Sequence, residues 1–216
     1  MTYCKGINNS VRGTIILLIL FFAFTDSRGQ DFPSEMLHEG ELVLLNGDTL
    51  RGQIKYNLEN DLIQMVINET VQTYSARKIL YFSIYDKSVD MHRNFYSVPY
   101  EVQPNYKIPI LFEVLYEGKL SLLARETIVT ETVPQYSYMY RSSVNMTRTR
   151  LDYEYYFLEE KGNIVKYNSK KYEIFEVMKR KEPQIKQYIK KNKLKIDSRR
   201  DLVRITAYYN ALLGQK

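Results

Sequence analysis

Side chains able to do acid–base or ligand chemistry are few in this chain and scattered. The only histidines are His38 and His92, far apart and outside any H-E-x-x-H spacing, so zinc catalysis has no support. No G-x-S-x-G elbow, phosphate-binding glycine loop or G-x-G-x-x-G stretch occurs. Carboxylates are plentiful, among them Glu113, Glu126, Asp152 and Glu154, and two of them facing each other across a cleft would serve glycoside hydrolysis. Spacing alone brings no two together, and acids on strands are more often solvated. The expectation is therefore no catalytic residue, no cofactor and no metal.

The basic side chains are concentrated. Lys186, Lys190, Lys191, Lys193, Lys195, Arg199 and Arg200 fall within one short span and are the candidate contacts for an anionic polymer or lipid surface. Interleaved Ile and Tyr positions equally account for the span as a core-packing helix with a solvated face. Between Gln30 and Leu158 there are 12 Lys and Arg against 17 Asp and Glu; between Glu159 and Lys216 there are 16 against 7. Two differently built halves meet near that break. Twenty tyrosines and nine phenylalanines without a tryptophan favour strands, where a tyrosine ring packs while its hydroxyl stays wet. Tyr136–Tyr140 and Tyr153–Tyr156 are candidates for a stacking platform, with cross-strand packing the favoured reading.

Lys5 and Arg12 precede an apolar run from Ile15 to Phe24, and Ser27 and Gly29 follow it. This is the order of a secretory signal peptide, here residues 1–29, cleaved between Gly29 and Gln30. The run is short of the roughly 20 apolar residues a membrane span takes. Cys4, the only cysteine, precedes the run, whereas a lipid-attachment cysteine would follow it. The exported chain then has no thiol and no disulfide, which fits the periplasm or surface of a Gram-negative bacterium.

Elements follow from periodicity. Asn46-Gly47 between Gly40 and Tyr56 marks a hairpin. Leu42 to Leu45 is continuously apolar and predicts cover on both faces, and Gly52 predicts a bulge or close backbone approach. Leu62–Ile67 is a third strand, and Thr70–Asp86 holds one or two more. Lys87–Pro104 predicts a loop with one short strand. Ile110–Tyr116 and Leu120–Ala124 alternate about Glu117-Gly118 as a second hairpin; Thr127–Arg150 is an excursion or edge strand. Leu151–Phe157 and Ile164–Tyr167 form a third hairpin about Gly162-Asn163. From Lys170 the period becomes helical. Pro183 starts a helix with Ile185, Tyr188, Ile189 and Ile196 on one face. Ser198 and Asp201 form a capping box for a last helix whose stripe is Leu202, Ile205, Tyr209 and Leu213, ended by Gly214.

LVLLNGDTLRGQIKY resembles the strand–Asn-Gly–strand core of Sm-like RNA-binding proteins at Leu44, Asn46, Gly47, Leu50, Gly52 and Ile54. It implies SH3-like strand geometry. The family's RNA-contacting motifs are missing downstream, so no binding residue is carried over and nucleic acid is not expected as a partner. More broadly, the GDT-x-apolar-x-G hairpin, YEGKLSLL, YEYYFLEEKGNIVKY and Tyr208-Tyr209-Asn210 are similar to exported proteins of the Bacteroidota for which no activity is established. That resemblance implies localisation and architecture, and no reaction.

The expected fold is α+β. Residues 30–168 form a β-rich curled sheet, small barrel or sandwich built from hairpins, and residues 169–216 form about three helices packed on it. The expected function is a non-catalytic binding or envelope-associated module, whose partner is another envelope protein or an anionic surface polymer. Anion binding through the basic helices and a polysaccharide hydrolase using paired carboxylates are the alternatives.

Overall fold

The computed structural model describes residues 32–137 and 142–214, with side chains outside 135–144. The signal peptide expected at residues 1–29, with cleavage expected between Gly29 and Gln30, lies outside the described residues, as do Cys4, Tyr138, Tyr140 and the side chain of Tyr136. Ten strands form one antiparallel sheet: β1 His38–Leu44, β2 Thr49–Asn57, β3 Leu62–Ile67, β4 Thr70–Ser75, β5 Ile79–Asp86, β6 Met91–Gln103, β7 Tyr106–Tyr116, β8 Leu120–Ser137, β9 Ser142–Glu159 and β10 Ile164–Tyr167. Their order is β10-β9-β8-β7-β6-β5-β1-β2-β3-β4. Helices α1 Lys171–Val177, α2 Glu182–Lys191 and α3 Arg199–Gly214 follow. The fold is α+β.

The first hairpin forms where Asn46-Gly47 predicts it, with Leu42 opposite Leu50. Its loop is longer than the two-residue turn usual for that dipeptide: Gly47 N donates to Leu44 O at 3.0 Å and Leu44 N to Asp48 O at 2.9 Å. Gly47, at φ 94°, takes the left-handed position of a three-residue loop. Leu45 falls in this loop and is 63% exposed, so the apolar run is not covered on both faces. The tighter two-residue turn joins β3 to β4 at Asn68 and Glu69, with φ of 48° and 65°.

One expected loop is a strand. Lys87–Pro104 is mostly strand β6, thirteen residues long. Its period was hidden because Arg93 occupies an inward position where an apolar residue would advertise the strand. Of the two alternatives for Thr127–Arg150 the edge strand holds: Thr127–Ser137 and Ser142–Arg150 are the outer arms of the β8–β9 hairpin, paired in unbroken register from Leu120↔Glu159 to Ser137↔Ser142, and β8 beyond Ala124 has no other strand partner among the described residues.

Partner positions Phe82, Phe95, Glu113, Ala124 and Tyr155 make a row across five strands on one face. At one end of this face β1, β2, β3, β5 and β6 enclose a core of Leu42, Ile54, Tyr56, Ile63, Met65, Ile79, Phe82, Ile84 and Phe95. At the other, Leu120, Leu122, Tyr155 and Phe157 pack under Ile174, Met178, Ile185, Leu202, Ile205 and Tyr209 of the helices. The sheet must curl strongly. β2 and β8 are five places apart in the order, about 24 Å on a flat sheet, yet the Tyr56 hydroxyl donates to Glu126 at 2.8 Å.

The helices differ from expectation at their ends. Ile196 lies beyond α2, which stops at Lys191. Asp201 accepts from Lys195 N at 2.9 Å, so its carboxylate closes the α2–α3 loop instead of completing a box with Ser198. Docking of α3 is specified by Asn210: its Oδ1 accepts from Leu120 N at 3.1 Å and its Nδ2 donates to Leu120 O at 2.8 Å, as a strand neighbour would. Replacing it by alanine (Asn210→Ala) strips both Leu120 groups of partners in a half-buried site, and a loss of about 1–3 kcal/mol is expected from urea unfolding.

Candidate functional site

Four acids were singled out by residue type, and the structure brings two together. Glu113 of β7 and Glu126 of β8 meet at Arg93 of β6, at the seam between the two cores. Arg93 donates from Nε to Glu113 Oε1 at 3.0 Å and from one terminal nitrogen to Glu113 Oε2 at 2.8 Å; that nitrogen also serves Glu126. The other terminal nitrogen donates to Asp86 at 3.1 Å and to the Tyr56 hydroxyl at 2.9 Å. Arg93 is 4% exposed, Asp86 1%, Glu113 2% and Glu126 8%. One guanidinium therefore serves three buried carboxylates, and it also lies 5.1 Å from the Phe95 ring centroid.

Burial alone would lower the Arg93 pKa, but hydrogen bonds and charge from Glu113 outweigh it, and with help from Tyr56 and Glu126 the group is raised. Burial, then the Glu126 charge, push the Tyr56 phenol far up, which keeps it a donor to Glu126. Asp86 is held below the usual carboxylate range: burial opposes this, and hydrogen bonds from Ser88 and Arg93 prevail. In this arrangement every carboxylate oxygen named is an acceptor. The network ties β2, β5, β6, β7 and β8 together at the seam.

Asp152 stays outside, 46% exposed and 3.2 Å from Arg150. Glu154 accepts from the Tyr156 hydroxyl at 2.8 Å and pairs with Lys166. Tyr153 and Tyr155 face the helix-covered side with centroids 6.5 Å apart, and Tyr156 packs edge-on against Tyr100 and Phe112 on the opposite face. Tyr156 thus packs across strands, whereas Tyr153 and Tyr155 stack along β9. His38 is buried with Nε2 2.7 Å from Pro33 O, which makes that nitrogen the donor; His92 stands exposed beside Tyr85.

The basic span divides. Lys190, Lys191, Lys193, Lys195 and Arg200 are exposed, while Lys186 is exposed but paired with Glu182 on its own helix. Arg199, the first residue of α3, turns inward: it donates to Glu113 and lies 5.1 Å from the Tyr153 ring centroid. Arg199 is therefore a clamp between helix and sheet, with 30% of its side chain exposed.

A cleft of about 640 Å³ opens beside the network, walled by Lys55–Glu59 at the β2–β3 turn, by Leu62, Gln64 and Thr73, and by Arg125–Ile128 of β8, with Ser34, Glu35 and Glu154 at its margins. Tyr56 and Glu126 reach its floor. Arg125 holds the wall, donating to Asp61 and to Leu111 O, each at 2.8 Å, while Asp61 accepts from Leu111 N at 2.8 Å. No protein-family model, curated protein or solved structure matches this chain. The geometry must carry the functional reading.

Proposed function

We propose that this chain is an exported, non-catalytic binding module of the bacterial envelope, with the cleft between the β2–β3 turn and β8 as its ligand site. One observation carries the reading: the acids that converge are each satisfied by Arg93, Tyr56 or Ser88, whereas the cleft beside them is lined by Ser34, Asn57, Gln64, Thr73 and Thr127, groups suited to hydrogen-bonding a ligand. The resemblance to exported Bacteroidota proteins and the leader-like residues 1–29 support the envelope location. For the architecture, the curl and the order β4-β3-β2-β1-β5, with a 3-10 turn at Ala76–Lys78 before β5, favour an incomplete barrel of SH3-like strand geometry over a sandwich.

Two measurements test this. Expressed in a Gram-negative host, the chain is expected in the periplasmic fraction with Gln30 as its N-terminus; a cytosolic chain beginning at Met1 removes the export reading. On glycoside, ester and peptide substrates no turnover is expected, and turnover abolished by Glu126→Gln would overturn the non-catalytic reading. The exposed Lys190, Lys191, Lys193, Lys195 and Arg200 favour a second reading, association with an anionic surface. It predicts binding to phosphatidylglycerol vesicles that disappears as salt is raised.

A further inference from the structure

We infer that the cleft takes an extended peptide segment, which adds as a strand to the open edge of β8; the inference rests on the binding reading above. β7 and β8 pair only from Tyr116↔Leu122 to Glu113↔Ala124. Beyond that point they part, and the β2–β3 turn enters the gap, where Asp61 takes the Leu111 N–H and the Arg125 side chain takes the Leu111 carbonyl. The two edges so freed are treated differently. That of β7 carries Pro109, and Asp61 occupies its Leu111 amide, so it is blunted.

The β8 edge is left open. From Glu126 to Val133 the strand pairs with β9 on one side and with no strand on the other among the described residues. The run ETIVTETV is rich in β-branched residues and has no proline until Pro134, which has no N–H to offer. An exposed edge of this length and composition is a template for a further strand. Here it is sheltered: Glu126, Thr127 and Ile128 are themselves cleft wall. An incoming strand would bond its backbone to β8 and send alternate side chains into the cleft.

Charge at the rim sets the preferred sequence. Asp61 holds Arg125, Arg93 holds Glu126 and Lys166 holds Glu154. The remaining lining charges are Glu35, Glu59 and Lys55, an excess of acid that favours a neutral-to-basic segment over an acidic one. The occupant is therefore a proline-free, β-branched stretch of a partner protein with lysine or arginine at alternate positions.

A random peptide library displayed on phage, panned against the purified chain, tests this. Enrichment of such alternating sequences is expected. The enriched peptide should slow hydrogen exchange at amides within Glu126–Val133 and lose affinity by about tenfold when Glu35→Lys and Glu59→Lys, both exposed on the rim, are combined. N-methylation of alternate peptide amides should abolish binding in one phase of the alternation only. Enriched peptides that protect other amides, or that bind the double variant unchanged, overturn the inference. Maltoheptaose or another neutral oligosaccharide binding with protection of Lys55–Glu59 and none in β8 overturns the peptide while leaving the cleft a ligand site. Neither peptide nor oligosaccharide binding overturns both.

Discussion

Arg93→Met is expected to be the most damaging single substitution in the chain, costing about 3–5 kcal/mol at neutral pH. Methionine fills a similar volume, so the loss is one of charge compensation. Asp86, Glu113 and Glu126 are each at most 8% exposed, and Arg199 reaches only Glu113. Asp86 keeps its bonds from Ser88 and Glu126 its bond from Tyr56, but both lose their counter-charge, and buried carboxylates without one favour their neutral form. The variant's deficit, read from urea unfolding, should therefore narrow as pH is lowered from 7 toward 5. In the parent, Asp86 works in the opposite direction. Its folded-state pKa is depressed, so its contribution is complete above the ordinary carboxylate value of about 3.9 and is lost as pH falls from there through the folded value. If Arg93→Met unfolds at the parent's urea midpoint at pH 7, the network is dispensable and the account of the seam is wrong. Replacing the set together, Arg93→Met with Glu113→Gln and Glu126→Gln, should recover part of the loss, because neutral amides cost less to bury than unpaired charges.

What the sequence made legible was local. Alternation about Gly47, Gly118 and Gly162 gave three hairpins, and the change of period at Lys170 gave the helices, because each signal lies within a few residues. Hidden features had causes that span the chain. Arg93 reads as a surface cation until Glu113 and Glu126, on strands that follow it, are folded against it; no spacing within β6 announces that. Glu113 and Glu126 were legible as acids, but the pairing of each was not. Tyr56 looked like one more half-buried strand tyrosine, and only the curl of the sheet carries its hydroxyl to β8. Arg199 belonged by sequence to a basic run, and its place at the start of α3, over Tyr153, ties it to Glu113 of the network. The cleft was invisible for the same reason: its two walls are nearly seventy positions apart, Asn57 and Glu126 among them.

Gly40→Ala should rank next in damage, and the cause lies in the backbone. Gly40 and Gly52 are direct partners across β1 and β2, a glycine pair where neighbouring strands crowd in from both sides. A Cβ on Gly40 would stand 2.3 Å from the carbonyl oxygen of Ser83, and one on Gly52 would stand 2.5 Å from that of Val66. Neither obstacle is a side chain that can swing away. β5 would have to shift in the first case and β3 in the second, each strand lying beside the core that contains Phe82 and Ile63. A cost of about 2–3 kcal/mol is expected for either alanine, with the urea midpoint falling and the slope unchanged. The pair also offers a sharper test than either single change. If both glycines serve one local bend of the sheet, relaxing that bend for the first alanine makes room for the second, and the double variant should lose clearly less than the sum. Strict additivity would mean that each glycine answers only to its own neighbour, Ser83 or Val66, and that the bend bringing Tyr56 toward Glu126 is set elsewhere in the sheet.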